Sequence, residues 1–181
     1  MELLKKMLSA RKEPFEKVTG MHDVIENLRI LSKGESDIAE FYQFCGDILP
    51  DDRAFWHELA KCERTHADLA LNMADLIEME PGKYRPGKGC NLALVRVLKT
   101  HINDLVVRMR AGKIEKKELL AMAADIENSV VELSYKDMVE TKVPEYLMMA
   151  RRLDDDTDGH RSVFEERLRN MATSDSEAAS Q

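Results

Sequence analysis

The stretch KCERTHADLA, residues 61–70, places a carboxylate and an imidazole three residues apart, at Glu63 and His66. Both fall where the pattern running from Leu59 to Ala70 predicts the apolar face of a helix. Acidic and imidazole side chains are costly to bury unless they are paired or bound to a cation. Either this helix face is not buried, or the two groups bind something inside it.

The composition around this stretch is that of a helical protein. The chain has 181 residues, of which only 8 are Gly and 5 are Pro, and 34% are charged. This content predicts one all-α domain. A net charge of −7 argues against nucleic-acid binding. The cysteines Cys45, Cys62 and Cys90 lack any Cys-x-x-Cys spacing, which argues against a disulfide framework, a zinc ribbon or a rubredoxin-type iron site. We interpret them as reduced thiols of a cytoplasmic protein without a membrane span.

Apolar residues three and four positions apart predict the long helices of a bundle. The predicted helices lie at about 21–48, 52–79, 91–110, 115–141 and 145–171. Residues 1–20 are interpreted as an N-terminal amphipathic arm and linker, 21–172 as the bundle, and 173–181 as a disordered tail. The clearest loop is EPGKYRPGKG, residues 80–89, with two Pro and three Gly. No segment has the alternation of a strand.

Acidic and imidazole residues interrupt the apolar seams of four of these helices. The interrupting residues are Glu35, Glu63, His66, Glu127 and His160. Because a lone buried carboxylate is expensive, four such interruptions suggest one shared polar centre. Glu63 and His66 lie on one helix face and can bind one ion together. Inward Glu and Glu-x-x-His pairs are the plan of di-iron and di-manganese bundles, and oxygen and imidazole ligands suit both metals.

Four ordered segments resemble the helices of ferritin-like, rubrerythrin-type proteins. They are GESDIAEFYQF (34–44), LAKCERTHADLA (59–70), ADIENSVVELSY (124–135) and LDDDTDGHRSVFEERL (153–168). The resemblance implies a ferritin-like four-helix bundle with a long helical crossover between helices two and three. It also implies metal ligation by Glu35, Glu63, His66, Glu127 and His160. Tyr42, seven residues after Glu35, is implied as a hydrogen-bond donor to a ligand.

The chain departs from that family pattern at one ligand position. Thr157 stands three residues before His160, where the family has a glutamate. Asp156 and Asp158 flank it, but each is rotated by about 100° from that position on a helix. Val130 stands where rubrerythrin-type third helices often carry a second acid. The alternatives are an asymmetric metal pair, a single metal, and a metal-free descendant.

The resemblance implies a di-iron oxidase or peroxidase type of oxidoreductase, or a protein that handles iron. Its cofactor is expected to be iron, two ions or one if Thr157 disables half the site, or manganese. The expected partners are oxygen or hydrogen peroxide, an external electron donor because no four-cysteine iron centre is present in the sequence, and a second copy in a homodimer. The alternatives are a metal-poor helical interaction or oligomerisation module without catalysis, and a metal-sensing or storage shell.

Overall fold

The computed structural model describes residues 20–87, 107–108, 111, 115–131 and 135–178. Within them the chain forms four helices, α1 (Met21–Ile48), α2 (Arg53–Met79), α3 (Lys116–Val131) and α4 (Pro144–Ala178). The predicted all-α class is confirmed. The helix predicted for 91–110 lies outside the described residues except for Val107 and Arg108, which are helical. The arm and linker predicted for residues 1–20 lie outside the described residues, except for Gly20.

Helices α1 and α2 form a hairpin whose boundaries agree with the sequence prediction to within one residue. The link between them is Leu49 and a 3₁₀ turn, Pro50–Asp52, and Pro50 cannot continue the backbone hydrogen bonding of α1. The buried face of α1 follows the predicted spacing of three and four. Its members include Leu28, Leu31, Glu35, Ile38, Tyr42 and Cys45. The seam that the sequence indicated is therefore the inner face of the helix.

Ion pairs at Asp52 show how the second pair of helices runs. Lys116 Nζ, at the start of α3, lies 2.5 Å from Asp52 Oδ2, just before α2. Arg167 Nη1, in the second half of α4, lies 3.1 Å from Asp52 Oδ1. Helix α3 therefore starts at the end of the molecule where α2 starts, and α4 runs towards that end. The chain crosses the length of the bundle between α2 and α3.

A two-stranded antiparallel sheet lies at the other end, where α2 ends and α4 begins. Strand β1 (Tyr84–Pro86) pairs with β2 (Val139–Thr141). The backbone N–H of Gly87 then donates to Met138 O at 2.9 Å. A side chain at Gly87 would collide with the backbone of Asp137 and Met138, so this close approach requires glycine.

Two features of this region contradict the sequence prediction. No strand was expected, but a three-residue strand is too short to display alternation. The third helix was expected to reach 141, whereas α3 ends at Val131 and a 3₁₀ turn (Tyr135–Asp137) and β2 follow within the described residues. Asp154 of α4 accepts a hydrogen bond from the backbone N–H of Tyr135 at 3.2 Å, which holds the turn outside a helix.

Helix α4 is longer than expected. Its predicted end was about 171, with a disordered tail over 173–181, but the helix continues to Ala178 and only 179–181 lie outside the described residues. No Gly or Pro follows Gly159 to end it. Among the described residues, none of the helices is both long and apolar enough to cross a bilayer.

Aromatic rings fill the core between the Asp52 end and the middle of the bundle. The Tyr42 ring centroid lies 5.6 Å from that of Trp56 and 5.8 Å from that of Phe164. Trp56 and Phe164 are 5.7 Å apart. These contacts join α1, α2 and α4 and exclude water from one side of the polar residues that follow.

Candidate metal centre

All five polar residues predicted at inward positions are buried in the structure. Glu35 of α1, Glu63 and His66 of α2, and Glu127 of α3 are 3%, 2%, 1% and 2% exposed, and His160 of α4 is 9% exposed. We refer to these five residues as the polar centre. One residue from each of three helices, and two from α2, meet there because each occupies the seam of its own helix.

Glu63 lies between the two imidazoles of the polar centre. Its Oε2 is 2.8 Å from His66 Nδ1, and its Oε1 is 2.7 Å from His160 Nδ1. The two imidazole rings are stacked, with centroids 5.5 Å apart. One ligand atom from each of these three residues lies within 4.8 Å of the other two, which is a spacing that can hold a metal ion.

Several buried polar atoms here lack a hydrogen-bond partner among the described residues. They are Glu63 Oε1, His160 Nδ1 and Glu35 Oε2. The first two are close to each other, but not in hydrogen-bonding geometry. A buried polar atom left unpaired costs about 1–3 kcal/mol, so the poorly aligned contact of Glu63 with His160 and the unpaired Glu35 Oε2 call for an explanation. A cation among them would coordinate these atoms, and a set of carboxylate oxygens and imidazole nitrogens suits a divalent first-row metal.

Two tyrosines hold the remaining carboxylates. The Tyr42 hydroxyl donates to Glu127 Oε1 at 2.6 Å, and the Tyr135 hydroxyl donates to Glu35 Oε1 at 2.5 Å. Tyr42 was expected to donate to a ligand residue. Tyr135 was not singled out, because it fell inside a stretch predicted to be helical. Each tyrosine bonds one oxygen of its carboxylate and so restricts its rotation.

Burial and mutual charge shift the pKa values of the polar centre in two ways. They favour the charged forms of Glu63 and His66 and the neutral forms of Glu35 and Glu127. Burial acts to raise the pKa of Glu63, but His160 and His66 outweigh it and lower this pKa to about 2. Burial acts to lower the pKa of His66, but Glu63 raises it to about 9. Burial and the charge of Glu63 raise the pKa of Glu35 to about 8 and that of Glu127 well above its ordinary value. Without a metal, Glu63 and His66 therefore form a buried ion pair.

Asp156 contacts His66 at the edge of the polar centre. Its Oδ2 lies 3.4 Å from His66 Nε2 and also 3.4 Å from Arg152 Nε. The side chain is 38% exposed, in agreement with the prediction that it is rotated away from the seam. A carboxylate at one nitrogen of an imidazole directs the other nitrogen towards a metal, and here that other atom is Nδ1, beside Glu63.

Among the side chains of α4 that the structure describes, His160 is the one candidate ligand at a seam position. Thr157 is 3% exposed, and its hydroxyl donates to the backbone oxygen of Leu153 at 2.8 Å. Val130 of α3 is 5% exposed and apolar. Both positions where the family pattern has an acid are therefore inside the protein but offer no charge.

Comparison of the chain with protein-family models, curated proteins and solved structures finds no match.

Proposed function

We propose that the protein is a ferritin-like, rubrerythrin-type metal-binding protein that reacts with oxygen or hydrogen peroxide, or handles iron. The observation that carries the proposal is the position of Glu63, buried between His66 and His160, together with the buried Glu35 Oε2, which has no hydrogen-bond partner among the described residues. The expected metal is iron, with manganese as the second choice, because both accept mixed carboxylate and imidazole ligands.

The order of the candidate ligands along the chain supports the ferritin-like part of the proposal. One acid comes from α1, a Glu-x-x-His pair from α2, one acid from α3 and a histidine from α4. This is the order expected of a di-metal carboxylate bundle, apart from the acid missing at Thr157. The crossing of the chain between α2 and α3 also agrees with that topology.

The residues have distinct roles in this function. Glu63, His66 and His160 would hold the metal, with Glu35 and Glu127 beside it. Iron or manganese, when bound, supplies one-electron chemistry towards oxygen or peroxide. The aromatic side chains on one side exclude water from the centre. Electrons would come from an external donor, because the three cysteines of the sequence cannot form a four-cysteine iron site.

Metal content tests the proposal. The protein is purified without chelator, loaded anaerobically with ferrous iron, passed through a desalting column and measured for bound metal. We expect the wild type to retain iron or manganese, and His66→Ala to lose it by more than about tenfold. The matched control is His57→Ala, since His57 is 34% exposed and contacts Gln43 and Asp47 instead of the polar centre. A wild type without metal after loading contradicts the proposal.

Reactivity is tested on the same three proteins, each mixed anaerobically with the same amount of ferrous iron and not desalted. Iron-loaded wild type is expected to consume hydrogen peroxide faster than iron-loaded His66→Ala at equal total iron, whereas His57→Ala behaves as wild type. Equal rates in all three samples would mean that the centre binds iron without directing its chemistry. The homodimer implied by the resemblance is part of the proposal, and sedimentation of the loaded protein tests it.

A second function is favoured by the neutral side chain at Thr157 and by the Glu63–His66 ion pair. The pair partly compensates the buried charge without a metal, so the bundle can fold as an interaction or oligomerisation module with no catalysis. The same metal measurement separates the two functions. A folded wild type that binds no metal and has an unchanged melting temperature on loading favours the interaction module.

A further inference from the structure

We infer that the polar centre binds one divalent ion, not a pair, through Glu63, His66 and His160. This inference rests on the proposed metal-binding function and departs from the two-ion centre that the ferritin-like pattern implies. The class of site is two imidazoles and one carboxylate around a single first-row ion, with iron as the expected metal.

The spacing of the two imidazoles is the first argument. Metal–ligand bonds to imidazole nitrogen and carboxylate oxygen are about 2.0–2.2 Å, so donors around one ion lie roughly 3–4 Å apart. Ions in two-metal sites are about 3.5–4 Å apart, and terminal donors beyond each ion are then separated by roughly 6–8 Å. The ligand atoms of Glu63, His66 and His160 all lie within 4.8 Å of one another. This spacing is closer to the separation of donors around one ion than to the separation of donors at the two ends of a two-ion site.

The missing donors are the second argument. A second ion would need an acid from α4, but Thr157 is neutral and its hydroxyl donates to Leu153 O. Val130 cannot supply an acid from α3 either, since it is an apolar and buried side chain. No other group of three or more metal-ligating side chains is found among the described residues.

Charge is the third argument. Two divalent ions bring four positive charges, but the three carboxylates of the polar centre, Glu35, Glu63 and Glu127, supply at most three negative ones. An uncompensated charge among side chains that are 2–3% exposed is expensive. One divalent ion is balanced by Glu63 and one further carboxylate. Glu127 is placed for this, with its Oε1 3.8 Å from His160 Nδ1.

Two imidazoles and one carboxylate are the ligand set of mononuclear non-haem ferrous sites, which keep coordination positions open. The three protein donors here would leave such positions on a single bound ion. A small ligand such as oxygen or peroxide could therefore bind directly to the ion. Tyr42, Tyr135 and the aromatic core surround the rest of the centre. The rest of the bundle would then serve as a scaffold for one ion.

The number of ions is measured by titrating metal-free protein with Co²⁺ under calorimetry and by counting bound ions in a native mass spectrum. We expect one ion per chain. His66→Ala and His160→Ala should each weaken that single binding event by more than about tenfold, and Glu63→Gln should do the same. His57→Ala should keep one ion with unchanged affinity. Far-ultraviolet circular dichroism and the melting curve of each variant establish that it is folded.

A pair of ions gives a different result. Two ions in the wild type, with one remaining in His66→Ala and one in His160→Ala, would overturn the single-ion inference and leave the proposed function standing. No bound ion in the folded wild type overturns the proposed function itself. A spectroscopic readout decides independently, because one isolated Mn²⁺ per chain gives a resolved hyperfine spectrum, whereas two adjacent Mn²⁺ ions give an exchange-coupled one.

Discussion

Thr157 occupies the position in α4 from which a carboxylate would reach the polar centre together with His160. The hydroxyl that stands there is 3% exposed and bonded to its own helix. Replacing it in Thr157→Glu would create a second Glu-x-x-His pair and a fourth buried carboxylate. We expect the variant to bind two Co²⁺ ions per chain where the wild type binds one, as counted by native mass spectrometry.

The variant Thr157→Gln separates the effect of side-chain size from that of side-chain charge, because glutamine has nearly the same volume as glutamate but is neutral. It should still bind one ion. The metal-free Thr157→Glu protein should also melt at a lower temperature than Thr157→Gln, because it buries a further acid without a partner. If Thr157→Glu binds a single ion, the side chain at this position is not what prevents binding of a second one.

Tyr135 is the buried residue whose hydroxyl holds Glu35. In Tyr135→Phe, Glu35 Oε1 loses the hydrogen bond of 2.5 Å and Glu35 is left with two unpaired oxygens. Leaving a buried acceptor unsatisfied should lower the free energy of unfolding by about 1–3 kcal/mol. Urea denaturation of the metal-free protein measures this difference.

Tyr146→Phe is the matched control for that experiment. Tyr146 is also fully buried, but its hydroxyl has no hydrogen-bond partner among the described residues. Removing that hydroxyl should leave the unfolding free energy nearly unchanged or slightly increased. Equal losses in Tyr135→Phe and Tyr146→Phe would mean that removal of a buried hydroxyl, not loss of the bond to Glu35, determines the effect.

At the scale of the elements, the sequence was most informative where a helix is long and regular. The Pro-containing link at Pro50 and the loop at 80–89 predicted the boundaries, and the three-and-four spacing along α1 and α2 predicted the inward positions of Glu35, Glu63 and His66. These positions could be predicted because a costly polar residue in an apolar seam is visible in the sequence itself. Whether these residues bind a metal stays a prediction.

The sequence was least informative where tertiary contacts override local pattern. The turn at Tyr135–Asp137 and strand β2 are stabilised by Asp154 and by pairing with β1, which is more than fifty residues away in the chain. No local periodicity encodes such pairing. The bond from Tyr135 to Glu35 was missed for the same reason, since it joins residues 100 positions apart. The last turns of α4 were missed because their composition is polar, although it contains no helix-breaking residue.

Asp52 links three elements at the end of the bundle opposite the sheet. It precedes α2 and forms ion pairs with Lys116 of α3 and Arg167 of α4. Asp52→Asn removes the charge from both pairs at once. Because Lys116 and Arg167 are partly exposed, we expect a loss of about 1–2 kcal/mol in the free energy of unfolding at neutral pH. Urea denaturation at low salt measures it, and added salt should reduce the difference.

The pH dependence of the Asp52 effect has a definite sign. Burial alone would raise the pKa of Asp52, but Lys116 and Arg167 outweigh it and lower this pKa below 3.8. A carboxylate with a lowered pKa stabilises the folded state above its ordinary pKa and loses that effect as the pH falls through the folded value. The difference between wild type and Asp52→Asn should therefore be full at pH 7, begin to shrink as the pH falls below about 3.8, and disappear once the pH is below the lowered folded-state pKa. A difference that persists unchanged at pH 3 would contradict the ion-pair explanation.

On the scale of the whole molecule, the polar centre is the place where all four helices meet. Contacts of Glu63 and Glu127 with His160 connect α2 and α3 to α4, and the bond from Tyr42 to Glu127 connects α1 to α3. Because these contacts bury charged and polar groups, this region is less stable without a bound ion than an apolar core of the same size would be. A bound ion would convert it into a cross-link between helices that are distant in sequence.

Metal loading should therefore raise the melting temperature of the whole chain. An ion that binds only the folded state at about 100 times its Kd adds about 2.7 kcal/mol. For a protein of this length that corresponds to roughly 5–10 °C. Differential scanning calorimetry with increasing Co²⁺ measures the rise, and a chelator should reverse it. His57→Ala should show the full rise and Glu63→Gln none, because only the second removes the carboxylate between the imidazoles. A rise of equal size in Glu63→Gln would mean that the ion stabilises the protein from a site outside the polar centre.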